Sequence, residues 1–559
     1  MKRWQALREL LDQAAAGKQI GTPVAARIVA HLTADHGHTV PAAIAALEAT
    51  LIWFDDEAAW VKASGDAAAG QVTLLLKTIK GRTAIISAGT SGVGRPLVEA
   101  ILFGTRGMAS CETSDAIITS SDDASVEISA RGRVLLDAMQ QSLRTGGVCH
   151  LARGAPREIS KRAMPRMNID HGPAQGSPTQ PPYSLLMVAG DHTHQPMYAA
   201  AFARDDRCRL IGVTDEPDIP ARRQQLNRGF AERMGVPLLD DYSAALARDD
   251  VDVVCVCAEP ERRGPLLVQA ARAGKHLYLD KPLTGTVADA AEVVASIEAA
   301  GVHAHMFSFV HSALAERLRA ALQSGDLGDL LAVHFDVTFA KGPAGTADIA
   351  RARRESAEPT RFELADAKRE LTNIGVYPLT QLGWLLDPNI HRVTAATGNY
   401  FFAQHQARDM EDFGAMLLEL DGGVTATLIA ARNGWRSHPA SGLNRAYLIG
   451  TRRALVVDLY RPRVEVWADD KPWEAPPPDP DDPMGMWPAT DASQRVAPKS
   501  DWLIASPDVV GRDVSYFLDC LETGCASDVS YRLAATATAW LAAAYRAAAD
   551  EHTVRLSDT

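Results

Sequence analysis

The chain has 559 residues, which exceeds the size at which a single hydrophobic core stops growing, so several domains are expected. With 47% hydrophobic and 23% charged residues, it has the composition of a globular protein and not of a disordered or collagenous one. The net charge of −12 disfavours nucleic acid as the main partner, and no apolar run approaches the ~18 residues that cross a bilayer. We therefore expect a cytoplasmic protein without a membrane partner, and its seven scattered cysteines favour reduced thiols.

The first 155 residues are predicted to form a helical layer followed by a small α/β unit. The spacing of apolar residues in 1–66 favours three helices. Thr83–Ser87 is predicted as a strand, followed by a glycine turn and a helix over Arg95–Phe103. The turn, Gly89-Thr90-Ser91-Gly92-Val93-Gly94, suits either a bound phosphate group or a purely structural role. No internal repeat is predicted along the chain.

A linker over residues 156–182, which contains six prolines, is predicted to precede a domain over residues 183–306. In that domain strands such as Cys208–Thr214 and Val251–Cys257 alternate with helical segments. The alternation predicts an α/β fold, in which a doubly wound parallel sheet of the dinucleotide-binding type is covered by helices on both faces.

Longer strands with few intervening helices characterise residues 307–559. Examples are Leu330–Phe339, Arg392–Phe401 and Phe413–Leu420, and two helices near 508–522 and 531–548 close the chain. The pattern predicts an α+β domain built on a large, mostly antiparallel sheet.

Lys281, in Asp280-Lys281-Pro282, is the strongest candidate for a catalytic residue. It directly follows the predicted strand His276–Leu279. In a doubly wound sheet the carboxyl ends of the strands face the crevice that binds ligands. A partly desolvated lysine there can hold or relay the proton of a hydroxyl that is being oxidised. Without further context, a solvated lysine in a helix N-terminal turn is the more ordinary explanation.

The context of Lys281 resembles a known family. The chain reads Val251-Asp252-Val253-Val254-Cys255-Val256-Cys257-Ala258-Glu259-Pro260, then Ala-Gly-Lys-His over 273–276, then Asp280-Lys281-Pro282. This order resembles the glucose-fructose oxidoreductase, inositol dehydrogenase and rhizopine-catabolism (Gfo/Idh/MocA) family, with Asp280 in place of the usual glutamate. The resemblance covers about residues 183–555 and none of 1–180. It implies NAD(P)-dependent oxidoreduction, with Ala258, Pro260 and Asp280 beside the cofactor.

A second stretch, Glu370-Leu371-Thr372-Asn373-Ile374-Gly375-Val376-Tyr377, resembles the Asp-x-Gly-x-His element of the same family. By this resemblance Tyr377 takes the position of the general acid/base, and Asn373 that of the aspartate that binds substrate hydroxyls. A phenol is a suitable proton donor beside an ammonium group that stabilises its anion. A buried aromatic residue on a helix is the structural alternative.

The phosphate-binding turn departs from the family pattern Gly-x-Gly-x-x-Gly. The chain has Gly190-Asp191-His192-Thr193-His194-Gln195, which keeps only the first glycine. We still expect Gly190, His192, Thr193 and His194 to contact the cofactor, through side chains or the start of the next helix. A metal site at the two histidines is not predicted, because no nearby carboxylate or thiol completes a ligand set.

Asp215, at the end of the second strand, is expected to accept hydrogen bonds from the adenosine ribose. An acidic side chain there favours NAD over NADP, although Arg222 and Arg223 keep NADP open. Downstream cations could select a carboxylated substrate or form a solvated helix face; they are Lys341, Arg351, Arg353, Arg354, Lys368 and Arg369.

Together these features predict hydride transfer between a nicotinamide cofactor and a secondary alcohol or ketone of a sugar, polyol or cyclic diol. The expected partners are a small-molecule substrate and, by the resemblance, further copies of the chain in a homo-oligomer. Two alternatives remain. One is a non-catalytic ligand-binding or assembly protein with a degenerate dinucleotide domain, and the other is an enzyme that recycles tightly bound NAD in a redox-neutral cycle.

Overall fold

The computed structural model describes residues 11–16, 20–33, 39–91, 97–112, 128–151, 164–165, 179–190, 194–339, 345–351, 353, 369–433, 442–458, 463–465, 500–502 and 508–557. Within these ranges the chain forms three large sheets, two of which pack face to face. None of the helices in these ranges is long and apolar enough to span a membrane.

The N-terminal unit is a seven-stranded mixed sheet with helices on one face. Its strand order is β6-β5-β1-β4-β3-β2-β7, in which β1 runs parallel to β4 and antiparallel to β5. The elements are β1 (Pro23–Thr33), α1 (Thr39–Phe54), β2 (Ala58–Asp66), β3 (Gln71–Thr78), β4 (Thr83–Ser91), β5 (Leu97–Gly104), β6 (Gly107–Glu112), α2 (Ala130–Thr145) and β7 (Cys149–His150).

Two of the predictions for this unit are wrong. Of the three helices expected in residues 1–66, the first is helical over its described residues 11–16 and the last is α1. Strand β1 stands in place of the middle helix, and strand β2 in place of the end of the last. The helix expected over Arg95–Phe103 is likewise strand β5. The physical reason is that these strands are buried on both faces, so their apolar residues run almost continuously and cannot be told from a buried helix by periodicity.

The glycine turn of this unit also differs from its prediction. Gly89 lies within strand β4, and the next described element is another strand, β5. The strand-turn-helix geometry that would present backbone N–H groups to a phosphate is therefore absent from this part of the described chain. Residues 92–96 of the turn lie outside the described ranges.

The central domain is the predicted doubly wound sheet. Its six parallel strands have the order β11-β10-β9-β12-β13-β14. The elements are β9 (Tyr183–Gly190), α3 (His194–Ala203), β10 (Cys208–Thr214), α4 (Ala221–Met234), β11 (Leu238–Leu239), α5 (Tyr242–Leu246), β12 (Val253–Cys257), α6 (Pro260–Arg272), β13 (His276–Leu279), α7 (Val287–Ala300) and β14 (Ala304–Met306). The predicted fold class of this domain is confirmed.

The C-terminal domain is the predicted α+β domain with a large, mostly antiparallel sheet. Its strand order is β20-β19-β15-β18-β17-β16-β23-β8. The elements are β8 (Met164–Pro165), α8 (Ala313–Gln323), β15 (Leu330–Phe339), a π-helix (Leu371–Gly375), α9 (Val376–Leu386), β16 (Ile390–Gly398), α10 (Ala403–Ala407), β17 (Phe413–Leu420), β18 (Thr425–Arg432), β19 (Asn444–Gly450), β20 (Ala454–Asp458), the paired β21 (Arg463–Glu465) and β22 (Ser500–Trp502), α11 (Val509–Thr523), α12 (Tyr531–Asp550) and β23 (Val554–Ser557).

The N-terminal and C-terminal sheets lie face to face over a shared apolar core. Leu75 and Ile85 of the first sheet belong to the same buried cluster as Leu417 and Ile429 of the second. Neighbouring residues on β17 point the other way, as the two-residue period of a strand requires, and Met416 packs on the helical side. Each of the two sheets is therefore buried on both faces, by helices on one side and by the other sheet on the other.

The domain boundaries remain predictions. Most of the expected linker lies outside the described ranges, but its residues Met164–Pro165 form the short edge strand β8 beside β23. The sequence predicts no internal repeat, but the two face-to-face sheets share one strand order.

Candidate active site

Lys281 and Asn373 meet at the junction of the central and C-terminal domains. Lys281 follows β13 at the carboxyl edge of the parallel sheet and is only 5% exposed. Its Nζ donates hydrogen bonds to the backbone oxygen of Asn373 and, at 3.0 Å, to the Oδ1 atom of the same residue. The structure thus brings together two of the three predicted catalytic residues.

Tyr377 lies in the same place, on the first turn of α9. The Lys281 Nζ is 4.6 Å from the centroid of the Tyr377 ring, a cation–π distance. Phe309 stacks on this ring with a centroid separation of 4.2 Å. Burial, together with the charge of Asp280, raises the pKa of the Tyr377 phenol well above its usual value, so the phenol is a proton donor at neutral pH.

The pKa of the Lys281 ammonium group is lowered toward neutral pH. Burial lowers its pKa to about 8, although the nearby carboxylates of Asp280 and Glu370 oppose the shift. A group whose pKa lies near the working pH is well suited to hold and release a proton.

Asp280 anchors the strand end that carries Lys281. Its carboxylate accepts hydrogen bonds from His194 at 2.8 Å, Tyr198 at 2.7 Å and the Lys281 backbone N–H at 2.8 Å, and it pairs with Arg263 at 2.9 Å. Burial works against ionisation, but the charges of His194 and Arg263 outweigh it and hold the pKa of this carboxyl well below its usual range. His194, a predicted cofactor residue, thus contacts the strand end that carries Lys281.

Arg263 is a site residue that the sequence analysis missed. Its guanidinium donates to the carbonyl oxygen of Ala258 and to those of Asp280 and Pro282, so it ties the end of β12 to the end of β13. The carbonyl of Ala258, a predicted cofactor residue, is therefore engaged by this arginine. The sequence marks this role only by an arginine on the face of α6 that is buried. Because arginine side chains usually lie in solvent, this signal is easily overlooked.

Glu370 and its partners are a second missed group, and they hold Asn373. Glu370 accepts a hydrogen bond from the Asn373 Nδ2 at 3.1 Å and forms ion pairs with Arg432 at 2.6 Å and His405 at 3.3 Å. Burial opposes its ionisation, but the charge of Arg432 and the contact with His405 dominate and lower its pKa to about 2. This anchor leaves Asn373 one fixed orientation, with Oδ1 toward Lys281.

Asp215 lies at the end of β10, as predicted, but its carboxylate is already bonded. It accepts from the Asn227 Nδ2 at 2.7 Å and pairs with Arg262. Glu259 pairs with Arg262 at 3.2 Å and with Arg223. The expected adenosine end of the site is therefore an ion-pair network of both signs.

The residues at this edge of the sheet fit a dinucleotide. Gly190 ends β9, and helix α3 begins four residues later at His194; His192 and Thr193 lie outside the described ranges. At the start of α3, the Nε2 atom of Gln195 is buried and has no hydrogen-bond partner among the described residues. A free donor at a helix N-terminus suits a phosphate oxygen.

The expected cation cluster gives a mixed picture. Lys341, Arg354 and Lys368 lie outside the described ranges. Arg353 lies 3.6 Å and Arg369 3.7 Å from the carboxylate of Glu411. These two arginines are therefore engaged within the protein and do not form the predicted solvated face.

Comparisons with known proteins agree with this geometry. Residues 188–308 match the family model described as "Oxidoreductase family, NAD-binding Rossmann fold", and residues 315–456 match "GFO/IDH/MocA C-terminal domain". The enzyme dTDP-3,4-didehydro-2,6-dideoxy-alpha-D-glucose 3-reductase of Streptomyces violaceoruber is 30% identical over 259 residues, which are 44% of this chain and 70% of the relative. Inositol 2-dehydrogenase of Acidothermus cellulolyticus is 25% identical over 214 residues, 36% of this chain and 55% of the relative.

Among solved structures, GenD2 from gentamicin A biosynthesis, in complex with NAD, has a TM-score of 0.52 at 20% identity. The alignment covers 69% of this chain and 99% of that one. At this level of identity the likeness demonstrates a common fold.

Proposed function

The chain belongs to the Gfo/Idh/MocA family of NAD(P)-dependent oxidoreductases, and on that premise we propose that it interconverts a secondary alcohol and a ketone on a sugar-like ring. The observation that carries the proposal is the contact of Lys281 with Asn373 and the Tyr377 ring across two domains. The names of the two relatives specify a nucleotide-linked deoxyhexose and inositol, which supports a ring that bears several hydroxyl groups.

NAD, when bound, supplies or accepts the hydride. Gly190, the start of α3 at His194 and the Nε2 atom of Gln195 would hold its pyrophosphate, together with His192 and Thr193. Asp215 and Arg262 would meet its adenosine end. The rest of the chemistry belongs to the side chains of this protein.

In the ketone-reducing direction, the neutral phenol of Tyr377 donates a proton to the substrate oxygen. The Lys281 ammonium stabilises the negative charge that develops on that oxygen and on the phenolate. Asn373, fixed by Glu370, donates to or accepts from a neighbouring hydroxyl and orients the ring. In the reverse direction the same groups take up the hydroxyl proton.

The decisive experiment compares Lys281→Ala with Lys275→Ala, a lysine of the same domain that bonds only backbone oxygens of Arg248 and Val251 in the described contacts. Turnover of a panel containing a dTDP-linked deoxyhexulose, inositol and their oxidised forms is measured with NAD and NADP. We expect a loss of roughly 10²- to 10⁴-fold for Lys281→Ala and little change for the control.

Cofactor binding is measured on the same proteins by calorimetry with NADH and NADPH. Retained binding in Lys281→Ala separates a catalytic from a binding role. Undiminished turnover in this variant would remove Lys281 from the mechanism. If neither dinucleotide binds the parent chain at millimolar concentration, the protein is not an enzyme of this type.

A further inference from the structure

The N-terminal sheet repeats the topology of the C-terminal sheet strand by strand. The two strand orders are β6-β5-β1-β4-β3-β2-β7 and β20-β19-β15-β18-β17-β16-β23. They coincide when β1 to β6 are matched to β15 to β20 and β7 is matched to β23. In both sheets the first strand is parallel to the fourth and antiparallel to the fifth. In both, a helix follows the first strand, α1 in one and α9 in the other. Seven strands can be arranged in a mixed sheet in many different orders. The occurrence of one order in both sheets therefore points to duplication of the sheet domain.

The irregularities of the two sheets also match. The β1–β5 pairing shifts register between Pro23 and Ala25, and the β15–β19 pairing shifts between Leu330 and Ala332. The pairing of the second strand with the third also shifts register, at the start of the second strand: between Ala58 and Trp60 in one sheet and between Ile390 and Arg392 in the other. Bulges are specific features of a fold, so two at equivalent positions support common descent.

The turn before the first strand is the same in both units. Gly21 has φ +75° and Gly328 φ +74°, and a Cβ at either position would lie 2.4 Å from the hydroxyl oxygen of a threonine. These threonines, Thr105 and Thr451, each stand in a Gly-Thr-Arg sequence after the fifth strand. Each also accepts a backbone hydrogen bond from the residue after the glycine, at 3.2 and 3.0 Å.

These registers show how the two units meet. Val29 pairs with Glu99, and the equivalent Asp336 pairs with Arg445, so Glu99 and Arg445 occupy the same position in the two units. The two side chains are buried and form an ion pair with each other across the interface. Contact between equivalent residues is the property of an isologous, two-fold interface, in which the same patch is used on both sides.

We infer that residues 20–151 are a second copy of the C-terminal sheet domain. This copy packs on the C-terminal sheet (the catalytic sheet), in the place that a partner subunit would take in a dimer. The chain then carries both halves of a dimer-like interface. The copy covers Leu417 and Ile429, the face of the catalytic sheet that would otherwise be open for pairing with another chain. This inference does not depend on the substrate or cofactor proposed above.

The position of the copy also connects it to the active site through shared strands. On β18, Ile429 faces the copy, whereas the neighbouring Ala430 and Leu428 lie against Gly375, two residues before Tyr377. Leu371, two residues before Asn373, lies directly over Gly414 of β17. The catalytic helix therefore rests on strands whose opposite face is held by the N-terminal copy.

The first test is the mass of the intact chain in solution by analytical ultracentrifugation over a range of micromolar concentrations. We expect the monomer of 60.0 kDa throughout. A stable mass of twice this value would overturn the inference that the chain contains its own partner.

A second test fixes the interface within one molecule. Glu99→Cys and Arg445→Cys are combined and treated with a short bismaleimide reagent, with each single variant and the parent chain, which keeps its native cysteines, as controls. A protease site introduced between residues 166 and 178 is then cut. We expect only the double variant to keep its two fragments covalently linked at the monomer mass. Linkage at twice that mass would show pairing between chains, and fragments that separate would show that the two faces do not meet.

A third test opens the interface in the intact chain by Ile85→Arg, with Ile79→Arg as a matched control at a 58% exposed position of the same unit. We expect concentration-dependent association through the uncovered catalytic sheet for the first variant and a monomer for the control. An Ile85→Arg chain that stays folded, monomeric and fully active would contradict the inference. The cross-linking test remains decisive if this variant does not fold.

Discussion

The two sheet domains of this chain have one topology and two different tasks. The C-terminal sheet supports a helix that carries Asn373 and Tyr377 against Lys281 of the dinucleotide-binding domain. The N-terminal sheet carries α1 at the equivalent place, but the contacts of its buried residues are with the other sheet and its own helices. The comparison indicates that the sheet itself is a structural support, and that the proposed catalytic residues meet where the parallel sheet adjoins the C-terminal one.

The largest effect is expected where the two units meet. In Arg445→Ala, the carboxylate of Glu99 remains buried without its cationic partner and keeps only the hydrogen bond from the Tyr447 hydroxyl among its described contacts, which should lower the free energy of unfolding by about 3–5 kcal/mol. Urea denaturation of Arg445→Ala, Glu99→Ala and the double variant gives the coupling energy. The double variant should recover part of the loss; strictly additive losses would show that the pair is not coupled.

The next largest effect is a difference in turnover between a variant in α9 and a variant in the equivalent helix α1. Tyr377→Phe removes the phenolic proton but keeps the ring that packs on Phe309, and turnover should fall roughly 10²-fold or more. Thr39→Ala, at the start of α1, should leave turnover unchanged. Steady-state kinetics on both variants, with circular dichroism as the check on folding, measure the contrast. Equal activities would remove Tyr377 from the reaction.

Acid should weaken the contact between the units. The hydroxyl of Ser87 forms hydrogen bonds with the imidazoles of His31 and His334, both at 2.9 Å. Burial lowers the pKa of His31 to about 4 and that of His334 well below its usual value. The unfolded chain therefore binds protons between pH 6.5 and 4 that the folded chain does not, so stability falls as the pH falls through this range. For His31 the loss is roughly 3 kcal/mol.

The measurement is urea denaturation at several pH values between 7 and 4, on the parent chain and on His31→Gln. The variant should show a shallower decline because one of the two buried imidazoles is gone. A decline of the same steepness in both proteins would assign the acid sensitivity to other groups.

The smallest effect concerns the pH dependence of ketone reduction. The Lys281 pKa of about 8 means that the ammonium form is lost above that pH, so the rate should decrease up to tenfold for each further pH unit. Lys281→Arg, which stays charged, should remove this descending limb even if its rate is lower. A limb that persists in the variant would belong to another group.

Much of the catalytic half was predictable from the sequence. The family, the oxidoreductase class, the NAD cofactor and both sheet architectures after residue 183 are confirmed, because strand and helix alternate with clear turn signals there. The positions of Lys281, Asn373 and Tyr377 followed from two short motifs. Their predicted roles still await the experiments above.

The remaining features depend on contacts between residues distant in the sequence. Arg263 and Glu370 act through partners that folding brings together, and no local pattern marks them. The N-terminal copy escaped detection because its strands are buried on both faces and read as continuous apolar segments. What the two copies share is register and turn geometry, with few identical residues.

The ion pair of Glu99 with Arg445 shows what joining two such units in one chain allows. In a dimer of identical chains, a side chain next to the symmetry axis meets its own duplicate, so a glutamate would face a glutamate and repel it. Once both halves are encoded separately, each can mutate alone, and opposite charges can be placed at one structural position. Carrying both halves in one chain thereby permits asymmetric complementarity at a position where a homodimer can place only identical residues.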